Sequence, residues 1–393
     1  MNRISALVAY IVYVIHMNAR DFQPKGLCSS LTSKIRKELV TESDERLLRM
    51  ALSADPAQES LDALMETWDI EAEGGKKALL LSYFMKMHPE LTFPSHTGPR
   101  LTGLLNYYRF QNIRLIAQFK KICVELKMRG IDFIVLKGGA MKSLRPAFPR
   151  VMNDIDILVR ASDFNKVGAL CRRLGYVCRR DRHAMSIHFR DSAEGMMDIH
   201  RYLDLKVGDG SVLNDDFFRR AVPAKVFGVD TLIPSREDML FIALANLSKN
   251  LMYRTSADGL LFIWFDARFL TGTAPGFDYE IVLRDAEQSK SRANLLFAVC
   301  LLNSVVPDLL PEEIFEKDVP ETEMEDFCAL TAYARYILCP LQRKSHELGV
   351  RKVMRHPALI ADFFKVRPLY TFLKMFRGRP AFAKKILARH ETD

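Results

Sequence analysis

The segment Asp154-Ile155-Asp156-Ile157-Leu158-Val159 restricts the fold of this chain more than any other. Its β-branched and apolar residues predict a buried strand, yet it carries two carboxylates one residue apart. In a strand, side chains at i and i+2 share a face, so Asp154 and Asp156 stand side by side with Cα atoms ~7 Å apart. Adjacent carboxylates repel each other, and burying one without a counter-charge is costly. Such a strand calls for a cation, and hard oxygen donors at this spacing suit Mg²⁺ or Mn²⁺. Upstream, Ile131 to Leu136 reads as a second buried strand, leading into Lys137-Gly138-Gly139. A glycine turn there lets backbone approach a phosphate closely, with a short helix starting near Met141. Downstream, Asp198 lies between apolar residues in Gly195-Met196-Met197-Asp198-Ile199-His200, again strand-like, with His200 on the same face. Together these elements predict a metal-dependent nucleotide site.

The set of residues resembles the nucleotidyltransferase superfamily of DNA polymerase beta-like folds. That pattern has a Gly-Gly or Gly-Ser turn, an Asp-hydrophobic-Asp/Glu strand and a later lone carboxylate. Leu136-Lys137-Gly138, Arg150, Asp154 to Val159 and Asp198-Ile199-His200 are similar to one branch, the bacterial uncharacterised nucleotidyltransferase family. The resemblance spans about 105–270; Asn246 departs from it, standing where that branch has a His. It implies that Asp154, Asp156 and Asp198 are both metal ligands and catalytic groups. They would hold Mg²⁺ (or Mn²⁺) in a two-metal arrangement with an NTP as donor. A nucleoside monophosphate would pass to a hydroxyl acceptor that the sequence does not identify. Lys137, Gly138, Gly139, Arg150 and His200 are the expected cofactor- and nucleotide-binding residues: backbone contact at the glycines, phosphate neutralisation by Lys137 and Arg150, ligand orientation by His200. Asp266 matches an acid common after the core in that branch and is expected to be structural or to face the acceptor.

The expected fold is an α/β (α+β) nucleotidyltransferase-like core with a small mixed sheet, flanked by extensive α-helical regions. We place a helical N-terminal region at 1–104, the catalytic core at 105–232, a helical domain at 233–341 and a basic helical segment at 342–393. A long helix from Leu105 to Arg129 stops at Gly130, its apolar side marked by Ile113, Ile116, Phe119, Ile122 and Leu126. Ser162 is the expected N-cap of a helix ending near Gly175. Tyr176 to Arg179 is a short strand, and Ser186 to Arg190 with Met196 to His200 form a hairpin whose turn covers 192–195. His183 and His188 fall on its surface. After Pro234 the pattern is helical.

The formal net charge is +9. Residues 342–393 carry 13 Lys or Arg against 4 Asp or Glu, which accounts for all of it. Aromatics interleave with these cations, among them Phe363, Tyr370 and Phe376, so the segment can bind RNA or coat an anionic membrane surface. A catalytically silent nucleotide- or RNA-binding protein is the alternative function. Seven scattered cysteines without a Cys-x-x-Cys pair suit reduced thiols rather than zinc or a disulfide framework. The apolar run at 5–15 is too short to span a bilayer comfortably. A cytoplasmic chain, free or peripheral to a membrane, is expected. No P-loop, Gly-x-Ser-x-Gly elbow or His-Glu-x-x-His helix is present.

Overall fold

The computed structural model describes residues 27–331, except 54, 70–74, 146–151, 181–183, 190–195, 206, 207, 252–259, 273–275, 318, 321, 322, 325, 326, 329 and 330. Arg150, His183, the turn at 192–195, the apolar run at 5–15 and the basic segment at 342–393 lie outside the described residues.

The chain opens with helices α1 (Leu27–Leu39), α2 (Glu42–Ala51), α3 (Gln58–Met65), α4 (Gly75–Met87) and α5 (Thr97–Met128). Then come β1 (Phe133–Val135), α6 (Lys137–Leu144), β2 (Asp154–Val159), α7 (Phe164–Arg173), β3 (Tyr176–Arg180), β4 (Ala184–Phe189) and β5 (Met196–His200). A 3-10 turn at Gly210–Leu213 precedes α8 (Asn214–Arg220), β6 (Val222–Val226) and β7 (Val229–Ile233). The remainder is helical: α9 (Arg236–Leu251), α10 (Phe262–Gly272), α11 (Tyr279–Gln288), α12 (Arg292–Val305) and α13 (Glu312–Glu316). The described residues therefore combine thirteen α-helices with one mixed seven-stranded sheet of order β3-β4-β5-β2-β1-β7-β6.

The register of this sheet places the acids. β2 is central, antiparallel to β1 with Val135 opposite Ile157, and parallel to β5 with Asp156 opposite Asp198. Every residue of β2 after Asp154 is buried, as a strand covered on both faces must be. β4 runs antiparallel to β5 and sets Ser186 opposite Asp198.

The hairpin of β6 and β7 at the far edge carries no clear sequence signal, for two physical reasons. Its turn residues are Phe227 (φ 52°) and Gly228 (φ 83°), where a hairpin of this type usually begins with Asn, Asp or Gly. Its edge strand contains Pro223, a residue that only an edge tolerates. Phe227 offsets its left-handed backbone by packing edge-on to Phe119 of α5, with ring centroids 5.8 Å apart.

Helix α5 starts eight residues before the expected Leu105 and stops at Gly130, which adopts φ 62°. Phe119, Ile122 and Leu126 face the core as expected, but Ile113 is 61% exposed and does not belong to that face. Asp163, not Ser162, occupies the N-cap position of α7. Cys123, Cys171, Cys178 and Cys300 are free thiols, whereas Cys328 is disulfide-bonded, against the expectation of reduced thiols throughout. Among the described residues no helix is long and apolar enough to cross a membrane.

Charge pairs fasten the helical layers. At the start of α2, Thr41 and Asp44 cap each other reciprocally, and Lys77 of α4 reaches buried Asp44 at 2.8 Å. Arg220, at the end of α8, bonds Asp238 of α9 at 2.6 Å and Asp285 of α11, both side chains fully buried. Burial pushes the Asp285 carboxyl up to about 6 despite the guanidinium. We predict that Arg220→Met, which leaves two buried carboxylates without their guanidinium, lowers unfolding stability by about 3–5 kcal/mol in urea denaturation. A loss under about 1 kcal/mol, the value of an exposed pair, would show that this triad does not hold the layers together.

Candidate active site

The site forms where β2, β5 and the start of α6 meet. Strand alternation turns Asp154 and Asp156 to one face of β2, and Asp198 and His200 to the same face of the parallel β5. Ligand atoms of Asp156, Asp198 and His200 all lie within 4.8 Å of one another, close enough to share one cation.

Between β1 and α6 the chain turns sharply. The Leu136 N–H donates to the Asp156 carbonyl at 2.9 Å, holding the turn against β2. Lys137 then takes φ 48°, a left-handed conformation uncommon for a residue with a side chain. The turn directs the ammonium back at the acids, where Lys137 Nζ lies 2.6 Å from Asp156 Oδ1. His200 Nε2 lies 2.8 Å from the same oxygen. Asp198 Oδ1 accepts from the Ser186 hydroxyl at 2.5 Å, across the β4–β5 register.

The glycines differ from the sequence expectation. Gly138 and Gly139 do not form a turn ahead of a helix near Met141; they are the second and third residues of α6, and the positive φ belongs to Lys137. Gly139 is required by packing: a Cβ there would lie 2.6 Å from Val135 Cγ1. With no side chain longer than hydrogen, α6 settles directly onto β1 and β2. No side chain caps the first turn of α6, so its amide N–H groups are oriented as a helix N-terminus that attracts anions.

The electrostatics follow from crowding. Burial would raise the Asp156 carboxyl, but the Lys137 ammonium and the His200 bond outweigh it and hold Asp156 well below the usual carboxylate range. Asp154 has no such partner. Burial, and then the neighbouring charge of Asp156, push it up to about 6 against the opposing Lys137. Burial would likewise lower Lys137, yet Asp156, Asp154 and Asp198 together raise it. Three carboxylates held by one lysine form a cluster that is short of positive charge, and its hard oxygen donors suit a divalent cation.

A small pocket opens beside Lys137 between α6, α9 and α10, lined by Met141, Asn246, Ile263 and Asp266 among others. Its ≈ 20 Å³ has room for about one water. Asp266 is buried in its wall, so this residue adjoins the site rather than lying remote from it. Asp154, Asp156, Asp198, Lys137, Gly138, Gly139 and His200 thus come together; Arg150 is outside the described residues. Ser186 is not identifiable from the sequence, because a single serine in an alternating strand carries no motif and only strand register identifies its partner.

In metal-free protein, Asp154 carries a stability cost that depends on pH. Its folded pKa is raised above the ordinary value near about 4, so its favourable contribution is present below that value and is lost as pH rises through about 6. With a chelator present, Asp154→Asn should raise the thermal midpoint at pH 7, and the gain should shrink towards pH 4. A midpoint equal to or below wild type at pH 7 would contradict the repulsion described here.

The family model described as uncharacterised nucleotidyltransferase matches residues 77–307, more than half of the chain. No curated protein matches it.

Proposed function

The chain belongs to the uncharacterised nucleotidyltransferase family, and on that premise we propose that it transfers a nucleoside monophosphate from an NTP to a hydroxyl acceptor. The observation that carries this reading is the convergence of Asp154, Asp156 and Asp198 on one sheet face beside Lys137, with ligand atoms of Asp156, Asp198 and His200 close enough to share a cation. Asp154 and Asp156 would hold Mg²⁺ or Mn²⁺, with Asp198 sharing one ion. Bound there, a pair of divalent cations supplies charge neutralisation for the triphosphate and stabilises the entering and leaving oxygens.

The chain's own groups divide the remaining work. The amides at the start of α6 receive phosphate oxygens, and Gly139 lets that helix seat against β1 where they reach the site. Lys137 balances the acids and would neutralise phosphate charge beside them. Asp198, fixed by Ser186, accepts the proton of the acceptor hydroxyl. The hydroxyl oxygen forms a bond to the α-phosphorus as the bond to the β-phosphate bridging oxygen breaks, and pyrophosphate leaves in line. His200 holds Asp156 Oδ1 in place, so that the other carboxylate oxygen faces the ligand.

The test is transfer of label from each α-³²P NTP, with Mg²⁺ or Mn²⁺, into total cell extract. Wild type should label one class of acceptor, and Asp154→Asn and Asp156→Asn should reduce labelling by about 100-fold or more while the folded spectrum is retained. Full labelling by either variant would overturn the assignment of the acids.

A further inference from the structure

Helix α5 is apolar on two sides. Its inner side, with Leu115, Phe119, Ile122 and Leu126, is buried in the core. Its outer side presents Phe110 (64% exposed), Ile113 (61%), Val124 (53%) and Met128 (66%), with Ala117 exposed between them. At about 100° per residue these five fall within an arc of about 60°, a continuous stripe along the helix. Exposed cations line both borders: Arg109, Lys120 and Lys127 on one flank, Arg114 and Lys121 on the other. Glu125 is the single acid in the helix, and Arg129 pairs with it. Tyr107, 58% exposed, lies outside the stripe, on the flank of Arg114.

We propose that this outer face of α5 docks the chain on an anionic lipid surface, with the stripe entering the acyl boundary and the two basic rows meeting lipid phosphates. The proposal stands apart from the transfer reaction. Charge selects the partner. The segment at 342–393 is itself strongly basic, and a second copy would present the same cationic rows, so both would be repelled by this face. Side-chain chemistry then separates lipid from nucleic acid. Of the five stripe residues only Phe110 has a ring on which a base can stack, too few for successive bases, whereas all five gain from leaving water for hydrocarbon. Lys and Arg beside such a stripe keep their stems in the interface and their charges at the phosphates.

Flotation of the full chain with vesicles tests this directly, comparing phosphatidylcholine alone with phosphatidylcholine mixed with phosphatidylglycerol. Wild type should float with the mixed vesicles at low salt, about tenfold or more tighter than with the neutral ones. Ile113→Ser/Val124→Ser/Met128→Ser should lose about tenfold or more of that binding with an unchanged thermal midpoint. Lys120→Gln/Lys127→Gln, which leaves the stripe intact, should lose the preference for anionic vesicles. Undiminished binding by the serine variant would overturn the proposal, because the membrane contact would then lie elsewhere in the chain. So would failure of wild type to bind either vesicle. A stripe that governs self-association in sedimentation, or binding of single-stranded RNA in place of vesicles, would overturn it equally.

Discussion

One interaction holds the site in its present form: the Lys137 ammonium on Asp156 Oδ1. β2 and β5 bring three carboxylates onto one sheet face, an arrangement that electrostatics opposes. The ammonium that touches Asp156 comes from a lysine whose backbone is left-handed, reached by a turn that hydrogen-bonds back to β2. Strain at Lys137, close packing at Gly139 and the orientation of α6 are therefore parts of one solution. The helix has to begin where it does for the lysine to reach the acids, and it can rest on the sheet there only because residue 139 lacks a side chain.

The surrounding helices keep that arrangement in register. α5 covers β2 and β5 from one side and meets Phe227 of the edge hairpin through Phe119. α9 to α12 pack on one another beside α6, with the Arg220 triad fixing α8, α9 and α11. Buried ion pairs of this kind contribute little net stability relative to apolar packing, but removing one member is costly, which makes the layer arrangement unforgiving. The pocket beside Lys137 is a by-product of the same packing, since α9 and α10 approach α6 without closing onto the lysine.

Much of this was legible in the sequence because it rests on short-range rules. The acid pair, the lone Asp198, the apolar strand and the Gly130 stop all follow from alternation and capping. What escaped depended on tertiary register. Nothing local to Ser186 identifies Asp198 as its acceptor. Ile113 fits the three-and-four spacing of the core face yet lies outside it, because α5 is apolar on two sides and periodicity does not say which is covered. The β6–β7 hairpin was obscured by Phe227 at a position that turn chemistry assigns to Asn or Gly, a local penalty offset by a distant ring. The Gly-Gly pair reads in the sequence as a phosphate turn, whereas the geometry shows a packing requirement at Gly139.

The central claim is that the three carboxylates form a divalent-cation site that receives a triphosphate. Isothermal titration of the full chain with a non-hydrolysable NTP, with and without Mg²⁺, addresses it without needing the acceptor. Saturable nucleotide binding that requires Mg²⁺ and disappears in Asp156→Asn is the result this account requires. Nucleotide binding of equal affinity with and without Mg²⁺, or binding unaffected by Asp156→Asn, would contradict it.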